Sequence, residues 1–196
     1  MIVVESQYFP CVNYVKALSE SEVCCIEQWE MFRKMSFRNR CVIVGSNGLI
    51  NLTIPVEGGR NNKQLMKDVR ISYTENWQSQ HWKAIVSSYA KAPFYEYYNM
   101  YVEELIKKHH TFLLDKNMEL LMWLKKVMKL QSQVELTSTY EETFDKGKLD
   151  LRNKWLPSNY SNETNSITYN QVFEEKLGFQ NNVSILDLLF CNGPSV

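Results

Sequence analysis

The hydrophobic pattern alternates between short β-branched runs and longer stretches in which apolar side chains recur every three to four residues. Ile2-Val3-Val4-Glu5 is the first short run, and Pro10 closes it, since proline lacks an amide donor and restricts the residue before it. Val12, Val15, Ala17 and Leu18 then keep helical spacing, and Val23-Cys24-Cys25-Ile26-Glu27 returns to strand length. Strand, helix, strand predicts a parallel crossover. That places the loop after the first strand at the carboxyl edge of a sheet, where ligands usually bind.

Farther on, Cys41-Val42-Ile43-Val44 and Leu49-Ile50-Asn51-Leu52-Thr53-Ile54 flank Asn47-Gly48, a pair that favours the positive φ angles of a tight turn, so an antiparallel hairpin is predicted. The polar segment Ser36-Phe37-Arg38-Asn39-Arg40 runs straight into its first strand. Residues 58–63, Gly-Gly-Arg-Asn-Asn-Lys, read as a loop that either closes over a ligand or merely connects. Val69-Arg70-Ile71 reads as a brief strand.

The pattern then turns helical. Trp77, His81, Ile85 and Tyr89 stand four apart in a helix over 76–92, with Asn76 as its cap and Pro93 as its stop. A second helix follows from Phe94, with Tyr97, Tyr101 and Leu105 on one row and Tyr98, Val102 and Ile106 on the next, ending in Lys107-Lys108-His109-His110. A third, over about 115–130, turns Leu120, Leu121, Leu124, Val127 and Met128 inward. Residues 133–137 suit a strand, and 138–166 form a long irregular excursion anchored by Leu149, Leu151, Trp155 and Leu156. Ser184 caps a last amphipathic turn, 185–190. The fold class this implies is α/β: a central mixed sheet with a β-hairpin, flanked by three or more helices, with a Rossmann-like amino-terminal unit as one form it could take.

Composition narrows the picture. At 196 residues, 44% hydrophobic and 13% aromatic, the chain suits one domain, 1–196, with a packed core. Its 22 basic and 22 acidic residues cancel and no long basic run exists, so nucleic acid is not expected as a partner. No window is apolar enough to enter a bilayer, and the start lacks a leader pattern, so membrane insertion is not expected either and a cytoplasmic location is. Five cysteines, odd in number and without C-x-x-C spacing, read as reduced thiols.

Familiar catalytic signatures are absent: no G-x-G-x-x-G, no G-x-x-x-x-G-K-[ST], no H-E-x-x-H and no G-x-S-x-G. Three histidines, two of them adjacent, and no Cys/His cluster argue against a metal site. His81 is the best general acid or base on offer, although its helical row also suits a core histidine. Arg38 and Arg40, one residue apart on an extended segment, could grip an anionic small molecule at two points or pair internally. Gln7, Tyr8 and Tyr14 lie beside the predicted strand-to-helix turn, placed to hold a nucleotide or sugar or simply to pack. Lys91 sits at a helix end, where the dipole also explains it. Asp187 suits a cap network, and Cys191 would need a nearby histidine to act as a nucleophile.

Several motifs in order carry a resemblance: Gln7-Tyr8-Phe9-Pro10 with Tyr14, Ser36-Phe37-Arg38-Asn39-Arg40, Ile54-Pro55-Val56, Trp82, and Tyr89-Ala90-Lys91-Ala92-Pro93-Phe94. The tail adds Gln171-Val172-Phe173, Gly178-Phe179 and residues 184–194. Over nearly its whole length the chain resembles the WbqC-like protein family, in a form like that of Bacteroidetes members. The resemblance implies a transferase or ligase of O-antigen and other surface polysaccharides that acts on a nucleotide-activated sugar and attaches an aminoacyl or acyl group. The alternative is a non-catalytic binding or assembly protein of the same pathway, for which the tyrosine-rich helix 94–106 would supply a partner or homodimer face. On this resemblance Gln7, Tyr8, Tyr14, Arg38, Asn39, Arg40, Tyr89 and Lys91 would bind substrate and His81 would handle the proton. No cofactor can be named. The usual opening of the family has Gln-Pro-Tyr and a glycine before the helix tyrosine, whereas here Gln7 meets Tyr8 directly and Asn13 precedes Tyr14. The arrangement is also distantly similar to the strand, proline, helix opening of nucleotidyltransferases, without their paired histidines.

Overall fold

A computed structural model describes residues 1–58, 63–144, 147–163 and 167–195. The first strand, β1 (Ile2–Glu5), is buried throughout and leads through Pro10 into α1 (Val12–Ser19), which returns to β2 (Val23–Glu27). The two strands pair in parallel. The hairpin is β3 (Arg40–Gly45) and β4 (Gly48–Thr53), followed by α2 (Trp77–Tyr89), α3 (Tyr95–Lys107) and α4 (Leu113–Val127). Two outer strands, β5 (Gln133–Leu136) and β6 (Leu149–Asp150), complete the sheet. The short α5 (Glu174–Leu177) and the buried α6 (Ile185–Asn192) close the chain.

The α/β class is as the pattern implies, and the strands divide between two sheets. One is four-stranded and wholly parallel, in the order β5-β2-β1-β6; the other is the β3-β4 hairpin. The hairpin registers Gly45 opposite Gly48, so its two-residue loop is Ser46-Asn47, one position before the Asn-Gly pair. Gly48 takes the positive φ, +122°. A Cβ at Gly45 would lie 2.4 Å from Ile50 Cδ1, so a side chain there would require the end of Ile50 to move aside. The expected strand at 69–71 is reduced to isolated bridges, Val56 with Ile71 and Arg70 with Phe112. Within the irregular 138–166 excursion, β6 supplies the outer strand next to β1. Two residues show no periodicity, which is why the sequence alone does not disclose it. Of the 58–63 loop, residues 59–62 lie outside the described residues.

The helices form where capping and periodicity agree. Asn76 Oδ1 accepts from Ser79 N, and Ser184 Oγ from Leu186 N. α3 ends on an unusual cap: the buried Lys116 donates its Nζ to the carbonyls of Leu105, Ile106 and Lys108. A cation suits that negative helix end, although burial still lowers the Lys116 pKa to about 8. The carboxyl-terminal tail is tied to the core through Asp187, which is 1% exposed and makes no ion pair among the described residues. It accepts instead from Tyr89 Oη, Tyr169 Oη and Gln171 Nε2 at 2.7–2.8 Å, while Tyr89 Oη accepts from Val44 N. All five cysteines are free thiols. Among the described residues no helix is long and apolar enough to cross a membrane.

Candidate functional site

All four strands of the parallel sheet point their carboxyl ends the same way, and the two central ones both end in glutamate. Glu5 and Glu27 are paired in register, so their side chains leave the same face of the sheet side by side, and both are fully buried. Charged groups survive burial only when hydrogen-bonded. Glu5 Oε1 accepts from Gln7 Nε2 at 2.8 Å and Oε2 from Asn153 N at 2.8 Å. Glu27 Oε1 accepts from Trp29 N and Thr137 Oγ1, and its Oε2 from Arg152 Nη1 at 3.4 Å.

Above these carboxylates lies a buried ion pair. Arg38 Nε donates to Glu30 Oε1 at 2.7 Å and Arg38 Nη2 to Glu30 Oε2 at 2.5 Å, a two-point contact that fixes both side chains. Nη2 also reaches Asn153 Oδ1 at 3.1 Å. Asn153 sits at φ +60°, a left-handed conformation that asparagine tolerates better than most residues. That twist lets its backbone N–H serve Glu5 while its side chain serves Arg38. α4 anchors the same segment, with Asn117 Nδ2 donating to Arg38 O at 2.7 Å and to Ser6 Oγ at 3.3 Å. Burial raises the Glu30 pKa above the usual carboxylate value, and the charges of Glu5 and Glu27 add to the rise against the pull of Arg38.

Beside the pair opens a hollow of about 360 Å³ lined by Trp29, Glu30, Met31, Arg33, Arg38, Tyr140 and Asn153. Its size falls in the ordinary range for small-molecule sites. Trp29 is held by its indole Nε1, which donates to Thr137 O at 3.0 Å, and Lys67 lies over its ring. Arg33 is exposed at the rim. The site therefore joins aromatic walls, a cation at the mouth and a buried carboxyl group held at both oxygens by Arg38.

A model of the WbqC-like protein family matches residues 5–153. The chain belongs to that family. The matched span runs from Glu5 to Asn153, the two residues hydrogen-bonded to each other beneath the hollow. This WbqC-like chain is also similar to the uncharacterised protein Rv1507c of Mycobacterium tuberculosis (strain ATCC 25618 / H37Rv), 26% identical over 212 residues that cover 96% of this chain and 91% of that one. No solved structure matches.

The residues singled out by sequence fall into separate groups in this WbqC-like fold. Gln7, Tyr14 and Arg38 gather at the carboxyl edge of β1: Gln7 holds Glu5, and Tyr14 Oη donates to Glu5 O at 2.8 Å. Of the two readings left open for Arg38, internal pairing is the one its guanidinium shows. Arg40 opens β3, half-buried, and makes no ion pair among the described residues. Asn39 Nδ2 donates to Ile54 O, fastening the hairpin entry. Tyr8 and His81 form a second group within the core. Tyr8 Oη meets His81 Nδ1 at 3.0 Å, and His81 Nε2 meets Thr53 O at 3.2 Å. A carbonyl can only accept, so Nε2 carries the proton and Nδ1 accepts from the tyrosine. Burial lowers the His81 pKa to about 4. Tyr89 belongs to the Asp187 network, and Lys91 is exposed beyond α2.

Of the residues singled out by sequence Arg38 lines the hollow, and Gln7, Tyr8, Tyr14, Asn39, Arg40, His81, Tyr89 and Lys91 do not. Sequence reasoning passed over Glu5, Glu27, Glu30, Arg152 and Asn153. A signal existed for the first two: two apolar strands joined by one helix each end in glutamate, and parallel pairing sets such ends adjacent. Asn153 gives no such signal, being 148 positions from the Glu5 it serves.

Proposed function

We propose that the hollow at the carboxyl edge of the sheet is the active site of a cytoplasmic transferase or ligase of surface-polysaccharide assembly, acting on a nucleotide-activated sugar. The observation that carries this reading is the joining of Trp29 and Tyr140, Arg33, and the Glu30–Arg38 pair around one open space backed by buried carboxylates. Trp29 and Tyr140 offer faces for a sugar or base, Arg33 offers charge for phosphate, and Glu30 is the group placed to take or give a proton. Gln7, Tyr14 and Arg38 act by holding the floor of the site. Asn39 and Arg40 fix the hairpin entry behind it, His81 positions Tyr8, and Tyr89 and Lys91 support the fold at a distance. Thermal-shift measurements with a panel of nucleotides and nucleotide sugars test the proposal. We expect a stabilising shift with at least one nucleotide sugar, reduced in Trp29→Ala and Arg33→Ala; no shift with any of them would overturn it.

One observation favours a second reading, a binding or assembly protein that works as a homodimer. Tyr97, Met100 and Tyr101 are 70%, 76% and 58% exposed on the outer face of α3, along a groove of about 610 Å³ that also includes Glu96, Glu103, Glu104 and Lys107. A second copy of α3 running antiparallel would set Met100 against Tyr101 and Tyr97 against Glu104, whereas a parallel copy would set each glutamate against its own image. Light scattering decides this: a dimer lost in Met100→Lys supports it, and a monomer at about 100 μM, a concentration at which a weak pairing with a Kd of about 10 μM would be mostly formed, removes it.

A further inference from the structure

Arg38 is the most deeply buried residue lining the hollow, and its guanidinium is only partly engaged. Nε and Nη2 donate to Glu30, and Nη2 also to Asn153 Oδ1. Nη1 has no hydrogen-bond partner among the described residues. Asn117 Oδ1, on the residue that holds Arg38 O, lacks a partner too, so it does not reach Nη1. Buried donors of this kind are nearly always satisfied, and one on the wall of an open hollow calls for an acceptor on whatever fills it.

Charge decides the kind of acceptor. The two-point contact with Glu30 already matches the charge of Arg38. Glu5 and Glu27, both fully buried, stand close enough for their charges to be felt at Glu30. An anion at Nη1 would join three carboxylates, whereas a carbonyl oxygen takes the N–H without adding charge. The acceptors of the same wall are spent, since both Glu30 oxygens and Asn153 Oδ1 are held by Arg38. An amino group arriving there would set donor against donor. Arg33 is the group of the lining suited to an anion: it is exposed and makes no ion pair among the described residues.

We infer that the hollow takes the base of the nucleotide, and that this base carries a carbonyl at the edge farthest from its ribose, as uracil does and cytosine does not. The base lies against Trp29 and Tyr140, each of which has a cation over its ring, Lys67 and Arg152 respectively. With the phosphates on Arg33, the far edge of the base is the part that reaches the buried wall, where its carbonyl accepts from Arg38 Nη1. Cytosine presents an amino group at the same position and leaves Nη1 unpaired. This inference rests on the nucleotide-sugar reading of the same hollow and narrows it to the class of base.

The test is calorimetric titration of the wild-type protein with UDP, CDP, UDP-glucose and UDP-N-acetylglucosamine under one set of conditions. Because the change is made on the ligand, the buried pair of Arg38 and Glu30 is left as it is. We expect UDP to bind at least about tenfold more tightly than CDP, since the amino group leaves a buried donor unpaired. Equal affinity for UDP and CDP, or a preference for CDP, overturns the assignment of the base and leaves the nucleotide-sugar site standing. If UDP-N-acetylglucosamine then binds more tightly than UDP-glucose, the carbonyl on Nη1 belongs to the acyl group of the sugar instead. Binding of none of the four overturns both readings.

Discussion

Acidification should cost this protein stability through His81, and the amount follows from its surroundings. The ring is buried between Tyr8, Thr53 and the tilted ring of Trp77, whose centroid lies 5.1 Å away, and Lys116 adds a like charge. Burial, the larger cause, lowers its folded pKa from 6.5 to about 4. Between those values the unfolded chain binds a proton that the folded chain refuses, so stability is intact above pH 6.5 and falls as pH drops toward 4. Linkage over that window amounts to about 3 kcal/mol in full, of which about 2 kcal/mol is lost between pH 7 and pH 5. Below pH 4 the folded form takes the proton too, and the loss levels off. Glu30 and Asp187 act in the opposite sense: their raised folded pKa values make the folded state the stronger proton binder, so their protonation offsets part of the loss.

The His81 share is therefore read as a difference. Urea unfolding followed by tryptophan fluorescence at pH 5, 6, 7 and 8 would be compared between wild type and His81→Gln, which keeps a polar side chain but cannot titrate. The gap between the two stabilities should narrow by about 2 kcal/mol from pH 7 to pH 5. Two curves that stay parallel across that range would refute a neutral, buried His81 and restore it as a candidate proton carrier.

Asp187→Ala strands the hydroxyls of Tyr89 and Tyr169 and the amide of Gln171 without their shared acceptor, and should cost about 3 kcal/mol or more in equilibrium unfolding; a loss under about 1 kcal/mol would mean the carboxylate is not the tie that binds the tail. At Asn153 the left-handed backbone makes the order of variants informative. Glycine loses the Arg38 contact alone, whereas alanine also strains a φ of +60°, so Asn153→Ala should be less stable than Asn153→Gly by about 1 kcal/mol, and the reverse order by denaturant midpoint would contradict the assigned strain.

The α/β class, the three long helices and the hairpin were legible in the sequence because each depends on a local period or a local turn. Trp77, His81, Ile85 and Tyr89 repeat at four residues whatever lies opposite them, and Pro93 stops α2 regardless of its neighbours. The crossover from β1 to β2 was legible for the same reason, and with it the edge where the hollow opens. Charge pairing was not. Arg38 could have faced solvent, a ligand or a carboxylate, and only the tertiary structure sets Glu30 beside it and brings Asn153 from 115 positions away. The adjacency of Glu5 and Glu27 is likewise a matter of strand register, and a slip of one residue would turn one of them to the opposite face. Local sequence fixes how each segment folds, since neighbouring side chains interact over a few ångströms. Which charges end up buried together depends on contacts between distant segments, and it is there that the site is made.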